Sequence, residues 1–465
     1  MNSPKGKEVV INNIIACLNI VLLFYLFSNI FSMLKSKPVL KLQSRKFMKG
    51  FFPFLLLILL SLNSFSQAGT HTYLHIPVID LNDETFRQVV VDCEEGQYLG
   101  HPTTVLLEDG KTMLIVYPKG HGKGEIVYKR SIDGGLTWSE RIKVPESWKT
   151  SKEVPTIYRV EDETGKKRII MFSGLYPARI AVSEDDGNTW SELKEIGDWG
   201  GIVVMSSVFP INTSEGHYMA LFHDDLRYFT SDGQIRYDED RKKYDRRLFT
   251  VYKTISTDGG VTWSFPDVIL SRRDMNLCEP GAIRSPNGKQ IAVLLRENSR
   301  RTNSQIIFSN DEGKTWSTPK ALPNELNGDR HVLKYAPDGR ILCVFRDHSP
   351  SSLNGNIEKI AAEKKISNLS EVAKETGLGS PTEGDWVGWV GTWNDLTNDR
   401  PGQYRIRFKD NTNAWDCCYP GFELLPDGTF VVTTYGHWEE GKQPYILSVR
   451  FTLKELDQKL KIIKK

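Results

Sequence analysis

Twelve residues with side chains of the kinds that can bind anions, move protons or attack carbon stand at the ends of short β-favouring runs in this chain. His101, Lys152, Glu153, Glu279, Arg330, His331 and Tyr419 fall at the starts of short β-favouring runs. His121, Asp224, Arg296, Arg346 and Asp347 fall where a second such run ends. Imidazole, carboxylate and phenol groups supply acid–base and nucleophilic chemistry, and guanidinium forks hold anions. Gathered at one end of a fold, they make a polar pocket. Whether they gather depends on the strands that carry them.

Those strands are set out by two repeats. The octet Ser-x-Asp-x-Gly-x-Thr-Trp occurs at Ser131–Trp138, Ser183–Trp190, Ser256–Trp263 and Ser309–Trp316. It reads as a tight hairpin. The Asp accepts backbone N–H bonds across the turn, Gly takes the left-handed position, and Trp lies over the turn as an apolar lid. Asp133, Asp185, Asp258 and Asp311 are therefore scaffold rather than catalytic carboxylates. Offset from the octets are hairpin signals at Asp109-Gly110, Asn287-Gly288, Asp338-Gly339 and Asp427-Gly428. Aligned, the two repeats define a unit that starts near His101-Pro102, Val154-Pro155, Ser206-Ser207, Glu279-Pro280, Arg330-His331 and Tyr419-Pro420. Six starts predict an all-β, six-bladed β-propeller, with Phe86–Asp92 as a spare strand that completes the last blade and removes the sheet edges. In each blade the first strand's start and the second strand's end share one end of the ring, which brings the candidate residues together. The charged stretch Asp232–Arg247 reads as a surface loop, 357–379 as one or two short helices inserted in the fifth blade, and the tail from Thr452 as a short basic helix or a frayed end.

Sixty Lys and Arg against 58 Asp and Glu leave a net charge of +2 with no dense basic run in the body, which argues against nucleic acid as a partner. Before the repeats stands a leader, 1–66. Met48-Lys49 followed by the apolar run Phe51–Leu62 and Ser64-Phe65-Ser66 is the pattern of a secretory signal over 48–66, with Met48 as an alternative start. A competing apolar run, Ile14–Phe31, is just long enough to anchor the chain in a membrane. Either way the body, 67–465, is expected outside the cytoplasm, periplasmic or extracellular. Beyond the leader's Cys17 there are five cysteines without metal-ligand spacing, which reads as buried thiols with room for one disulfide, no metal and no cofactor.

Octets, six blades and export signal together resemble the sialidase (neuraminidase) superfamily, whose octets are called Asp-boxes. Two segments are similar to its site motifs. Glu279-Pro280-Gly281-Ala282-Ile283-Arg284-Ser285-Pro286-Asn287-Gly288 followed by Leu294-Leu295-Arg296 resembles the segment with a catalytic Glu and a substrate-binding Arg. Tyr419-Pro420-Gly421-Phe422-Glu423-Leu424-Leu425-Pro426-Asp427-Gly428 resembles the segment with the nucleophilic Tyr. The resemblance implies that Tyr419 attacks, Glu279 takes its proton and Arg296 binds an anionic group. A neutral Tyr avoids the repulsion a carboxylate nucleophile meets at an anomeric carbon that bears a carboxylate, and sialidases are the Tyr exception among glycosidases. There are departures. His101 stands where the family's first Arg is usual, Gly120-His121-Gly122 replaces its acid/base Asp, and no Arg near 384–393 matches its third.

Arg330 or Arg346 is the candidate for the missing clamp, with His331 beside them. His121 is the candidate acid, and His101 a binding or proton-shuttling group. The expectation is a secreted exo-glycosidase that removes terminal sialic acid or a related acidic sugar from a glycan. A His-dependent glycosidase or polysaccharide lyase, favoured by His101 and His121, and a non-catalytic glycan-binding propeller are the alternatives.

Overall fold

Runs of β-favouring residues joined by Asp-Gly and Asn-Gly turns must pair with their immediate neighbours, because a two-residue turn leaves no room for a crossover. The computed structural model describes residues 73–228, 248–350 and 357–463. The leader with its signal peptide, the alternative anchor and the charged stretch 232–247 lie outside the described residues. Six antiparallel meanders result. Their first strands are Thr103–Leu106, Pro155–Glu161, Ile202–Pro210, Leu277–Arg284, Gly328–Tyr335 and Gly421–Leu424. Each contacts the next and the sixth contacts the first, so the blades close a ring.

The predicted seam is present. Gln88–Asp92 pairs antiparallel with Tyr445–Phe451 as the outer strand of the sixth blade. One strand was not expected. Val78–Asp80 joins the fifth blade in parallel beside Tyr404–Lys409, and three residues are too few to show a period. The insertion in the fifth blade holds helices α1, Ile357–Lys364, and α2, Leu369–Thr376. The Asn368 side chain caps α2 by accepting from the Ser370 and Glu371 N–H groups. The tail is a helix over Leu453–Ile463. Among the described residues no helix is long and apolar enough to cross a membrane. The five described cysteines are all free thiols, so no disulfide forms among them.

The octets sit at the turn after the third strand, as expected. Asp133 Oδ1 accepts from the Leu136 and Thr137 N–H groups at 3.0 and 2.9 Å, and its Oδ2 from the Thr137 hydroxyl at 2.6 Å. Between blades the apolar faces interlock. Leu114, Val116 and Tyr128 of the first blade meet Ile157, Ile169 and Met171 of the second.

At the opposite end from these turns, the inner strands begin on unusual backbone. His101, Val203, Glu279, Arg330 and Cys418 all have positive φ, between 50° and 65°. Ladder register shifts just after three of these positions. A non-glycine residue in the left-handed region costs of order 1–3 kcal/mol and persists only where surrounding packing imposes it. At those three the bulge turns the side chain away from the alternation of the strand. The glycines of the two Pro-Gly motifs have a separate task. A Cβ at Gly281 would lie 2.1 Å from the His331 carbonyl oxygen, and one at Gly421 2.6 Å from the Thr104 side chain. Adjacent inner strands approach only because those side chains are missing.

Candidate functional site

The sixth and fourth blades bring Tyr419 and Glu279 into direct contact. The Tyr419 hydroxyl donates to Glu279 Oε1, and Arg296 Nη1 donates to the same oxygen at 2.9 Å. Burial alone would raise the Glu279 carboxyl, but the Arg296 guanidinium, the Tyr419 hydrogen bond and His223 together outweigh it and hold the group below the usual carboxylate range. Burial and the Glu279 charge push the Tyr419 phenol well up. At rest the proton therefore stays on Tyr419, hydrogen-bonded to an ionised acceptor placed to receive it. Tyr419 is half-buried, so a reactant can reach it.

Behind this pair lies a carboxylate held by three arginines. Asp329 is buried, and it meets Arg346 Nη2 at 2.6 Å, Arg296 Nε at 3.1 Å and Arg300 Nη2 at 3.2 Å. Burial would raise Asp329, but the Arg296, Arg346 and Arg300 guanidiniums hold it well below the carboxylate range. Arg346 also donates to the Trp415 and Cys417 carbonyls, so it is an anchor inside the site. Arg296 and Arg300 are only half-buried, and Arg300 stacks on the Trp415 ring at 4.5 Å. Arg330 donates to the Ser206 carbonyl at 2.9 Å and lies 5.8 Å from the Tyr419 ring centroid.

Across the ring seam sit the histidines. His101 is buried, its ring 4.3 Å from that of Tyr419, 4.5 Å from Tyr435 and 4.8 Å from His121. Burial and the neighbouring His121 lower its pKa well below the usual value, so it is neutral. Its Nδ1 accepts from the Gly122 N–H at 3.0 Å, which leaves the proton on Nε2, 3.3 Å from the Tyr435 oxygen. His121 is exposed and points Nε2 at Asp416 Oδ1, 3.5 Å away. Asp416 also accepts from the Tyr98 hydroxyl at 2.7 Å, the Tyr435 hydroxyl at 3.3 Å and His437 Nε2 at 2.9 Å. Burial works against ionisation of Asp416, but the His437 and Tyr98 hydrogen bonds bring its pKa down to about 2.

Other candidates from the sequence lie elsewhere. The His331 ring stacks on Phe345 and its Nε2 donates to the Leu326 carbonyl at 3.0 Å, which commits it to the blade wall. Asp347 is turned into the insertion, where it accepts from Ser380 and Thr382 and pairs with Arg405 at 2.9 Å. The Asp224 carboxylate accepts from the Tyr228 N–H at 3.2 Å. Lys152 donates to the Tyr176 carbonyl at 3.1 Å. Glu153 accepts from the Val203 N–H, and burial raises its carboxyl to about 7. A cavity of about 350 Å³ follows the channel between the inner strands, and Arg330 and His331 border it. Among the described residues no three His, Cys, Asp or Glu side chains are grouped to hold a metal.

Asp329, Arg300, Asp416, Tyr98 and Tyr435 escaped the sequence reading. Tyr435 could have been found, since it ends the second strand of the sixth blade, the position that selects Arg296 and Arg346. Asp329 adjoins a strand start. Asp416, in a loop three residues before Tyr419, carries no signal of its own.

A family model described as a BNR repeat-like domain matches residues 158–354. No curated protein matches the sequence. Among solved structures, a protein of unknown function from Dyadobacter fermentans aligns with a TM-score of 0.56 and 14% identity, over 78% of this chain and 97% of that one. A mutant of the NanB sialidase from Streptococcus pneumoniae aligns with a TM-score of 0.50 and 11% identity, over 79% of this chain and 70% of that one. The fold of this chain is a sialidase-like BNR-repeat propeller.

Proposed function

We propose that this protein is an exported exo-glycosidase that hydrolyses a terminal sialic acid or related acidic sugar from a glycan, with Tyr419 as nucleophile. The observation that carries the reading is the Tyr419 hydroxyl donating to an ionised Glu279 that Arg296 holds in place. Attack by Tyr419 on the anomeric carbon passes the phenol proton to Glu279. His121 protonates the departing oxygen, and water then releases the sugar with the protons returned. Local charge supports an anionic sugar. Arg296, Arg300 and Arg346 converge on Asp329, Arg296 also meets Glu279, and Arg330 lies 5.8 Å from the Tyr419 ring, a concentration of guanidinium groups that a substrate carboxylate would suit. His101, neutral and packed on Tyr419, orients the nucleophile's ring. Export rests on the 48–66 signal pattern.

Release of free sugar from an aryl sialoside, with loss of at least about 10³-fold in Tyr419→Phe, is the expected result. Full activity in that variant, or no sugar from any of a panel of acidic glycans, overturns it. The packing of His101 on Tyr419, with His121 against His101, favours one second reading, a polysaccharide lyase. Its mark would be an unsaturated uronate product that disappears in His121→Ala.

A further inference from the structure

We infer that Asp416 is the positioning residue that makes His121 the acid and base of the reaction, by holding its Nε2 and leaving Nδ1 to face the glycosidic oxygen. The inference rests on the glycosidase reading above and deepens it.

Geometry carries it. A histidine at a loop tip, between Gly120 and Gly122, has no preferred orientation of its own. What orients this one is a carboxylate from the other side of the seam. Asp416 is fixed on several sides: Tyr98 and Tyr435 hydroxyls on Oδ1 and His437 Nε2 on Oδ2. Its His121 contact on Oδ1, at 3.5 Å, is the longest of the set. Such contacts are often long without substrate and tighten in the reacting complex. The Tyr98 ring edge at 5.6 Å and the His101 ring at 4.8 Å confine the His121 imidazole from two further directions.

Asp416 is a poor proton donor itself, because its bonded neighbours keep it ionised. An ionised carboxylate on one imidazole nitrogen does two things. It fixes which nitrogen carries the working proton, and it stabilises the imidazolium that forms when the other nitrogen takes a proton. The same carboxylate reaches the nucleophile's surroundings by a second arm. Tyr435 donates to Asp416, His101 Nε2 lies on Tyr435, and the His101 ring packs on Tyr419. One carboxylate thus ties the acid's imidazole to the ring that backs the nucleophile.

The proton accounts close. In the first step the C–O bond to the leaving sugar breaks as the Tyr419 oxygen bonds to the anomeric carbon. Glu279 gains the phenol proton, and the leaving oxygen gains the His121 Nδ1 proton. In the second step water bonds to that carbon and gives a proton to His121, while the Tyr419–carbon bond breaks and Glu279 returns its proton to Tyr419. The net change is one water consumed per bond cleaved.

A role in protonating the leaving group has a signature that a merely structural role lacks. It matters for poor leaving groups and little for good ones. Wild type, Asp416→Asn and His121→Ala are compared on a glycan substrate and on aryl glycosides of the same sugar with increasingly acidic phenols. Asp416→Asn is expected to lose about 10²-fold or more in kcat on the glycan and under about 5-fold on the most acidic aryl glycoside. The double variant should lose little more than His121→Ala alone, because the two act as a unit. Equal loss on all substrates, or losses that multiply in the double variant, overturns the inference. His121 is exposed, so His121→Ala keeps the test valid if Asp416→Asn does not fold. Uniform loss in His121→Ala is equally fatal. Wild type that cleaves nothing would sink the glycosidase reading itself. Active wild type with the wrong leaving-group pattern sinks this inference alone.

Discussion

Three guanidinium groups within 3.2 Å of one carboxylate could not share a half-buried volume without it. Asp329 is that carboxylate, and its removal leaves like charges facing one another out of water. Asp329→Asn is expected to cost about 3–5 kcal/mol in a urea titration at neutral pH, the range for breaking a buried ionic cluster by removing one partner. The pH dependence follows from the direction of its shift. The folded carboxyl lies well below its usual range, because the Arg296, Arg346 and Arg300 charges outweigh burial. Its contribution is thus complete above about pH 4, the ordinary Asp value, and is lost as pH falls through the folded value. Wild type should lose stability on acidification below about pH 4, and Asp329→Asn should lose less over the same range. A variant whose acid-side slope matches wild type would show that Asp329 is not the group responsible.

At the scale of the element, the octet is a turn whose Asp finds its hydrogen-bond partners inside the same eight residues. Asp258 accepts from the Ser256 and Thr262 hydroxyls at 2.9 and 2.6 Å and from the Val261 and Thr262 N–H groups at 3.1 and 3.0 Å. Asp258→Ala strips these bonds from the third blade's outer turn. A loss of about 1–3 kcal/mol in chemical denaturation is expected, with kcat on the aryl substrate unchanged. A fall in kcat at constant fold would place the octet in the chemistry after all. That self-containment is why the blades were legible in the sequence: each octet closes within eight residues, and residue types alone specify it. The same logic explains why Glu279, Arg296 and Tyr419 could be found, since each holds a fixed offset from a turn signal. Asp416 could not be found that way. Its partner Tyr98 lies 318 residues away in sequence, and only closure of the ring brings the two together. Nor do the types Val203, Glu279 and Arg330 announce left-handed backbone, which the inner-strand bulges impose from outside. His331 and Asp347 were misplaced for a related reason. A strand start or end locates a residue along the blade, while the bulge and the insertion decide which way its side chain turns.

For the whole molecule, the seam is where covalent order and spatial order part company. The sixth blade is built from Gly421–Leu424, Phe430–Gly436 and Tyr445–Phe451 near the end of the chain and Gln88–Asp92 near the start of the described residues. It carries Tyr419 at its entry and Tyr435 in its second strand, and the Tyr98–Asp416 bond crosses the same junction. Val91, 2% exposed, packs with Leu99, Tyr435 and Ile446 at this junction. Val91→Asp would bury a carboxylate against them, at a cost of several kcal/mol by the usual penalty for an unpaired buried charge. Because the ring has one such non-covalent closure, that cost should appear locally before it appears globally. Amides of Gln88–Asp92 and Tyr445–Phe451 are expected to exchange with solvent well before those of the second, third and fourth blades. Release of sugar should fall with the same free energy, since opening the seam detaches Asp416 from Tyr98 and His121 while leaving Glu279 and Arg296 in place. Hydrogen exchange with Val91→Asp reads the first and initial rates read the second. Uniform protection across all six blades, with activity lost only at the global melt, would mean that the ring opens as one unit and the seam has no separate stability.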